Sequence, residues 1–370
     1  MAPDHGDSKA AKASRDVEAA APRDDRVSPG GKGRPLRTRS QIPSEALWYV
    51  APGVAEVRDE ALSAPGPDDI LIRTLYSGIS RGTERLVFSG RVPESEFTRM
   101  RCPFMGGTFP FPAKYGYCLV GRVEAGPKAS CGQTVFLLHP HQSAAVLPAE
   151  AAVIVPQTVP PQRAVLAANM ETALNAVWDA GAGPGDRIAV VGGGVIGLLV
   201  GWLCGNLPGA KVTLVDIDER RAATASRLGL GFAYPSDIPG DCDIVFHASA
   251  SAAGLATALR LAGDEAAVVE LSWYGTGEVA VPLGATFHSR RLKLVASQVG
   301  QVAPSHRPRW THRRRLATAL DLLADPRLDC LLDPPIAFAE LPARIAGILA
   351  PESGILCQVI GYPAAAPQEP

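Results

Sequence analysis

The stretch Ile188–Asp216, IAVVGGGVIGLLVGWLCGNLPGAKVTLVD, decides the fold. Ile188-Ala189-Val190-Val191 is a short, β-branched apolar run of the kind that forms a strand buried on both faces. It ends in Gly192-Gly193-Gly194-Val195-Ile196-Gly197, which satisfies G-x-G-x-x-G at Gly192, Gly194 and Gly197. The apolar segment Leu198–Leu207 predicts a helix stopped by Pro208-Gly209, and a second strand, Lys211–Val215, ends in Asp216. Gly192 allows the tight turn, Gly194 lets a pyrophosphate approach the backbone, and Gly197 lets helix and strand pack closely. Val195 and Ile196, within the turn, are counted with its glycines as cofactor-binding residues, and the N–H groups and positive dipole end of the following helix suit phosphates. Asp216 follows Gly192 by 24 residues, about where an acid bonds the adenosine ribose hydroxyls. Its carboxylate would repel a 2′-phosphate, so the expected cofactor is NAD(H) rather than NADP(H). A glycine-rich turn alone is a weak signal, but here strand, turn, helix, second strand and acid occur in register.

Outward from that unit the pattern continues. Residues 164–300 alternate helix and strand, which predicts a parallel sheet covered on both faces. The expected elements are a helix at Glu219–Leu228, a strand at Asp243–Ala248, a helix at Gly254–Ala262, and strands at Ala266–Leu271 and Lys293–Gln298. Beyond them Thr311 is placed to cap a helix through Leu323, with Leu316, Ala319, Leu320 and Leu323 on one face. A helix at Leu341–Leu349 and a strand at Ile355–Ile360 follow.

From Gln41 to about Ala164 short strands alternate with turns, among them Ile70–Tyr76, Leu119–Gly126 and Gln133–Leu138, as in an antiparallel barrel or sandwich. Between them the irregular, aromatic stretch Gly90–Ala113 reads either as a plug for the barrel's core or as a wall of a substrate pocket. Residues 1–40 carry almost no large apolar side chain and are expected to be a disordered tail, as is 364–370.

The 370 residues are 46% hydrophobic and 20% charged, with a formal net charge of −1, a balance that argues against nucleic-acid or membrane partners. Two domains fit this length better than one. No apolar run is long enough to span a bilayer, and the N-terminus lacks the apolar core of a secretory signal. The seven cysteines are scattered and form no C-x-x-C, which leads to an expectation of reduced thiols and a cytoplasmic location.

A β-rich N-terminal part followed by a dinucleotide fold and a short return segment resembles the medium-chain dehydrogenase/reductase superfamily. The motifs carrying the resemblance are Ser77-Gly78-Ile79-Ser80-Arg81-Gly82-Thr83-Glu84, Tyr115-Gly116-Tyr117-Cys118-Leu119-Val120-Gly121-Arg122-Val123, the glycine turn and Val215-Asp216-Ile217-Asp218. It implies an α/β fold with a GroES-like β-barrel domain at 41–166, a Rossmann-type doubly wound parallel sheet at 167–300, and a segment at 301–363 that completes the first domain. It also implies a small-molecule substrate and a homodimer. A more distant likeness is to bacteriochlorophyllide-type alcohol dehydrogenases.

The departures bear on chemistry. Where the zinc alcohol dehydrogenases carry G-I-C-G-T-D, Ser80 stands at the first zinc cysteine. Where they carry G-H-E, Tyr117 and Cys118 replace the histidine and glutamate. The third ligand position falls near Ala168. Catalytic zinc needs three N, S or carboxylate ligands, so no metal is expected. A rescue set of His139, His141 and Cys118 is the alternative, with the two histidines on one face if they lie on a strand. Without a Lewis acid, hydrogen-bond donors or a proton relay must stabilise the reacting oxygen. The resemblance places Ser80, Thr83 and Tyr117 at the vacated metal site and Glu171 near the cleft, with Arg81 within reach of the pyrophosphate. Each also has a structural reading: Tyr117 bonded to backbone, Ser80 and Thr83 holding a turn, Glu171 favouring a helix N-terminus. The basic run Arg307–Arg315 reads as a solvated face or as a dock for an anionic substrate. The leading function is a zinc-independent NAD(H) oxidoreductase on an alcohol/carbonyl pair. The alternatives are an enone or quinone reductase and a non-catalytic NAD(H)-binding protein.

Overall fold

The computed structural model describes residues 41–363, so the two expected tails lie outside the described residues. The first sheet is a hairpin of β1 (Ile42–Ala51) and β2 (Val54–Leu62), extended by the short pieces Ala113–Lys114 and Gly106–Gly107. The second has seven strands and forms the body of the barrel. Its centre is β3 (Asp69–Gly78), antiparallel to β4 (Leu119–Ala125), which pairs with β5 (Thr134–Leu137); β6 (Ala144–Pro148) also pairs with β3. Between β3 and β4 lies α1 (Arg81–Phe88), a helix that the sequence reading did not anticipate. Its Leu86, Val87 and Phe88 are buried, and Glu84 reaches back to the Ser80 N–H at its start.

The stretch 90–113 plugs the barrel's core. Met105 and Phe109 are buried in the barrel core with Leu47, Tyr49 and Tyr115, whereas Phe104 is 43% exposed and stacks on His139.

The cofactor-type domain opens with α2 (Ala167–Ala180) and continues as β7 (Arg187–Val191), α3 (Val195–Gly205), β8 (Lys211–Val215), α4 (Arg220–Arg227), β9 (Gly231–Ala233), β10 (Cys242–His247), α5 (Ala252–Leu261), β11 (Ala262–Glu270) and β12 (Lys293–Ala296). The six strands are parallel, in the order β9-β8-β7-β10-β11-β12, so the direction of winding reverses between β7 and β10. In such sheets ligands bind outside the carboxyl ends of the strands at that reversal. The helix after the glycine turn starts at Val195, three residues before the expected Leu198, because the turn itself closes at Gly194.

Two expectations are corrected. Helix α2 begins at Ala167, so Glu171 lies in its second turn rather than before its N-terminus. The run Ala167-Ala168-Asn169-Met170 is buried and extends the helix backwards. The return to the barrel also comes later than residue 301. Residues 301–331 pack mainly on the cofactor-type domain: Ala303 N–H donates to Asn175, and α6 (His312–Leu322) packs on α2, with Leu316, Ala319, Leu320 and Leu323 buried as expected. Thr311 caps α6 by accepting from Arg314 N–H. Only β13 (Leu332–Ala337) and β14 (Cys357–Gly361) rejoin the barrel sheet, β14 pairing antiparallel with β3, while α7 (Leu341–Leu349) covers the barrel core. No helix among the described residues is long and apolar enough to cross a membrane.

Candidate active site

The glycine turn is shaped as its sequence requires. Gly192 has φ 111°, and a Cβ there would lie 2.6 Å from Ser249 N; a Cβ on Gly197 would lie 2.0 Å from Gly192 O. A Cβ on Gly194, by contrast, would meet nothing within 4 Å, so the open space that a pyrophosphate needs lies over that residue. Helix α3 begins at once with Val195 and Ile196, whose side chains pack against the domain core while their backbone N–H groups belong to the helix's first turn. Asp216, at the end of β8, accepts from the N–H groups of Gly193 and Asp218. These residues fit a dinucleotide: an uncrowded turn, a helix N-terminus and a carboxylate fixed beside them.

On the barrel side the expected groups meet. The Tyr117 hydroxyl donates to Ser80 Oγ at 2.6 Å, and Asn169 Nδ2 lies 3.4 Å from Ser80 Oγ. Tyr117 packs against both the barrel core and the core of the cofactor-type domain, which places it at their junction. Burial pushes its phenol above the ordinary tyrosine range, with Cys118 adding to the effect, so the group is a protonated donor at neutral pH. Ser80 receives the phenol's hydrogen, which leaves the serine's own hydrogen for a further partner. The bond leaves Ser80, rather than Tyr117, with the free hydrogen.

Glu84 is a residue whose importance the sequence reading missed. It is fully buried and accepts from Ser80 N–H (2.7 Å), the Tyr49 hydroxyl (2.7 Å) and His141 Nε2 (3.0 Å). His141 Nδ1 in turn bonds Ser77 Oγ at 2.7 Å, and Ser77 bonds the Tyr362 hydroxyl from the return segment at 3.0 Å. A buried carboxylate is tolerated when donors surround it, and here they also fix the turn that carries Ser80. The signal was an acid four residues after a helix-starting serine, followed by Leu86-Val87-Phe88.

The remaining candidates are elsewhere. Glu171 pairs with Arg315 at 3.0 Å in the interface of α2 with α6. Both are buried, and Arg315 also donates to Asn175 and to the carbonyls of Val299 and Gln301. Burial raises the Glu171 carboxyl above its ordinary range, and Arg315 opposes that shift. The pair is a clamp, and it takes the last arginine out of the basic run. Arg314 lies over the Trp310 ring at 3.9 Å and Arg313 donates to Glu150 O, so the run is drawn into local contacts. Arg81 donates to the carbonyls of Ile348, Ala350 and Ile355. That is the bonding of a fastener on the return segment, not the free guanidinium that the resemblance implies for the pyrophosphate.

The rescue set does not assemble. His139 and His141 lie outside any strand and part company, His139 stacking on Phe104 and His141 having both ring nitrogens engaged. Cys118 Sγ lies 3.8 Å from Asn169 Oδ1, and burial pushes its thiol far up. Among the described residues no three His, Cys, Asp or Glu side chains are grouped to hold a metal ion. Two hydroxyls, a phenol, a carboxamide and a protonated thiol do not fit catalytic zinc.

No family model matches the chain. It is 26% identical over 330 residues to D-guloside 3-dehydrogenase of Escherichia coli (strain K12), covering 80% of this chain and 93% of that protein. Among solved structures, a putative zinc-binding dehydrogenase from Sinorhizobium meliloti 1021 bound to NADP matches with a TM-score of 0.69 at 21% identity, covering 87% of this chain and 100% of the other. An alcohol dehydrogenase from E. coli CFT073 complexed with NADH matches with a TM-score of 0.69 at 15% identity, covering 86% and 99%. Barrel, six-stranded parallel sheet and return strands together give this chain the fold of the medium-chain dehydrogenase/reductase superfamily.

Proposed function

We propose that the protein is a zinc-independent, NAD(H)-dependent oxidoreductase that interconverts an alcohol and a carbonyl compound. The carrying observation is the Tyr117–Ser80 hydrogen bond at the junction of the two domains, in the position the family gives to a metal. The dehydrogenase names of the relative and the solved structures support the reaction class. When bound, the nicotinamide supplies or accepts the hydride. Ser80 donates its free hydrogen to the carbonyl oxygen as charge develops there, Tyr117 replaces that hydrogen through its 2.6 Å bond, and solvent water reaching the phenol returns the proton to Tyr117. In the oxidative direction the same bonds carry the proton outward. Glu84 and its three donors hold the Ser80 turn still while this happens.

Preference for NAD(H) rests on Asp216, whose carboxylate faces the glycine turn and disfavours a 2′-phosphate. Arg221 beside it is tied to Gly354 O and Asp218 and Arg220 is paired with Asp218, so neither is a free phosphate ligand. The test is hydride transfer, followed by nicotinamide absorbance over a panel of alcohols and carbonyl compounds, before and after exhaustive chelation. Turnover that survives chelation is expected. Turnover lost on chelation and restored by zinc would overturn the metal-free reading. Tight NADH binding with no turnover on any substrate would favour the non-catalytic alternative.

A further inference from the structure

A second cluster of chemistry-bearing groups lies at the carboxyl ends of β10 and β11, where the sequence reading marked nothing. His247, the last residue of β10, is fully buried. Its Nδ1 lies 2.8 Å from Glu270 Oε2 at the end of β11, and its Nε2 lies 2.7 Å from Ser249 Oγ. Glu270 also accepts from Ser272 N–H at 2.7 Å and the Tyr274 hydroxyl at 3.1 Å. Burial alone would raise the Glu270 carboxyl, but the bonds from His247 and Ser272 outweigh it and hold the group below its ordinary range.

The polarity of the chain follows. An ionised Glu270 is an acceptor only, so the hydrogen between the two sits on His247 Nδ1. The other ring nitrogen fixes Ser249 Oγ, which also bonds Ser251 Oγ at 3.0 Å. The fold makes specific room for that hydroxyl, since a Cβ on Gly254 would lie 2.0 Å from it. Next to it Ala250 is held at φ 52° by a bond from its N–H to Ser272 Oγ, a backbone state that a non-glycine residue rarely adopts.

Placement identifies what the hydroxyl serves. The Ser249 backbone packs directly on Gly192, across the winding reversal from Asp216. A dinucleotide lies across that reversal with one half on each side. Asp216 claims the adenosine half, so Ser249 is on the nicotinamide half. The loop that carries Ser272 and Tyr274 agrees: it leaves the same cluster, packs Trp273 into the barrel core and donates from Thr276 N–H to Arg91 O, so this side of the crevice is the one that meets the barrel. We propose that Ser249, oriented by the Glu270–His247 pair, hydrogen-bonds a hydroxyl of the nicotinamide-side ribose. The proposal rests on the dinucleotide reading above.

The experiment measures dissociation constants of NADH, ADP-ribose and ADP by calorimetry for the wild type, Ser249→Ala and Gly254→Ala. ADP-ribose keeps the second ribose and ADP lacks it. Ser249→Ala should weaken NADH and ADP-ribose about fivefold, the effect of one hydrogen bond, and leave ADP unchanged. Gly254→Ala touches no ligand, but displaces the hydroxyl and should reproduce the same pattern. Equal weakening of all three ligands, or of none, would overturn the proposal. A wild type that binds none of the three would instead defeat the dinucleotide reading on which it rests.

Discussion

The dinucleotide crevice and the barrel site are built in opposite ways. Glycine turn, helix start and carboxylate come from one continuous stretch, Gly192 to Asp216, and are brought together by a single strand–helix–strand unit. The barrel site draws Ser80 and Thr83 from the start of α1, Tyr117 from the approach to β4, Asn169 from α2, and its support from His141 and Tyr362. Local geometry can dictate the first; only the packing of distant segments can produce the second. The barrel site and the supports around it are therefore where substitutions test the assembly most sharply.

The largest expected effect is on the clamp between α2 and α6. Arg315→Met leaves Glu171 buried without its partner and should cost about 3–5 kcal/mol of unfolding free energy in urea titrations. Glu171→Gln, with hydride transfer measured well below its unfolding midpoint, separates clamp from catalyst: turnover within a few-fold of wild type is expected, and a collapse in kcat at unchanged folding would return Glu171 to the catalytic set.

Next is the relay. Tyr117→Phe should lower kcat by about two to three orders of magnitude with NADH affinity almost unchanged, because a preorganised donor is worth roughly 3–4 kcal/mol in the transition state. Ser80→Ala should do at least as much, since Ser80 holds the terminal hydrogen. If Ser80→Ala is mild while Tyr117→Phe is severe, the phenol bonds substrate directly and the bonding order is reversed.

His139 gives the barrel a pH dependence of its own. Burial lowers its imidazole from about 6.5 to about 4. The unfolded chain therefore binds a proton that the folded chain refuses, and stability is fully present above pH ~6.5 and is lost as pH falls toward ~4. That loss amounts to roughly 3 kcal/mol, and His139→Gln should flatten this acid limb in urea titrations run at about pH 7 and pH 4.5. An unchanged limb would mean that other groups carry it.

The smallest effect belongs to the crevice that the sequence specifies best. Asp216→Ala should narrow the NADH-over-NADPH preference by about tenfold in dissociation constant. Tighter binding of NADPH by the wild type would remove the basis for the NAD(H) assignment.

Much of this architecture is written in local pattern. The strands Lys211–Val215 and Lys293–Ala296, the Thr311 cap and the helix Leu341–Leu349 follow from periodicity and turn chemistry that act over a few residues. So does the cofactor crevice, because its glycines and its acid are separated by one element. Helix α1 was not legible, because its anchor is the Glu84 carboxylate bonded to Tyr49 and His141, residues dozens of positions away. The two buried acids show the same limit. Nothing within a few residues of Glu84 or Glu171 tells that one supports the reacting turn and the other pairs with Arg315. His247 and Glu270 likewise read as ordinary strand ends until parallel pairing sets them side by side. The sequence by itself determined most of the cofactor-type domain's elements, the dinucleotide turn and the polar residues available beside the barrel strand. The tertiary structure decided which of those residues touch, because a buried polar group takes its role from the partner that desolvation forces upon it.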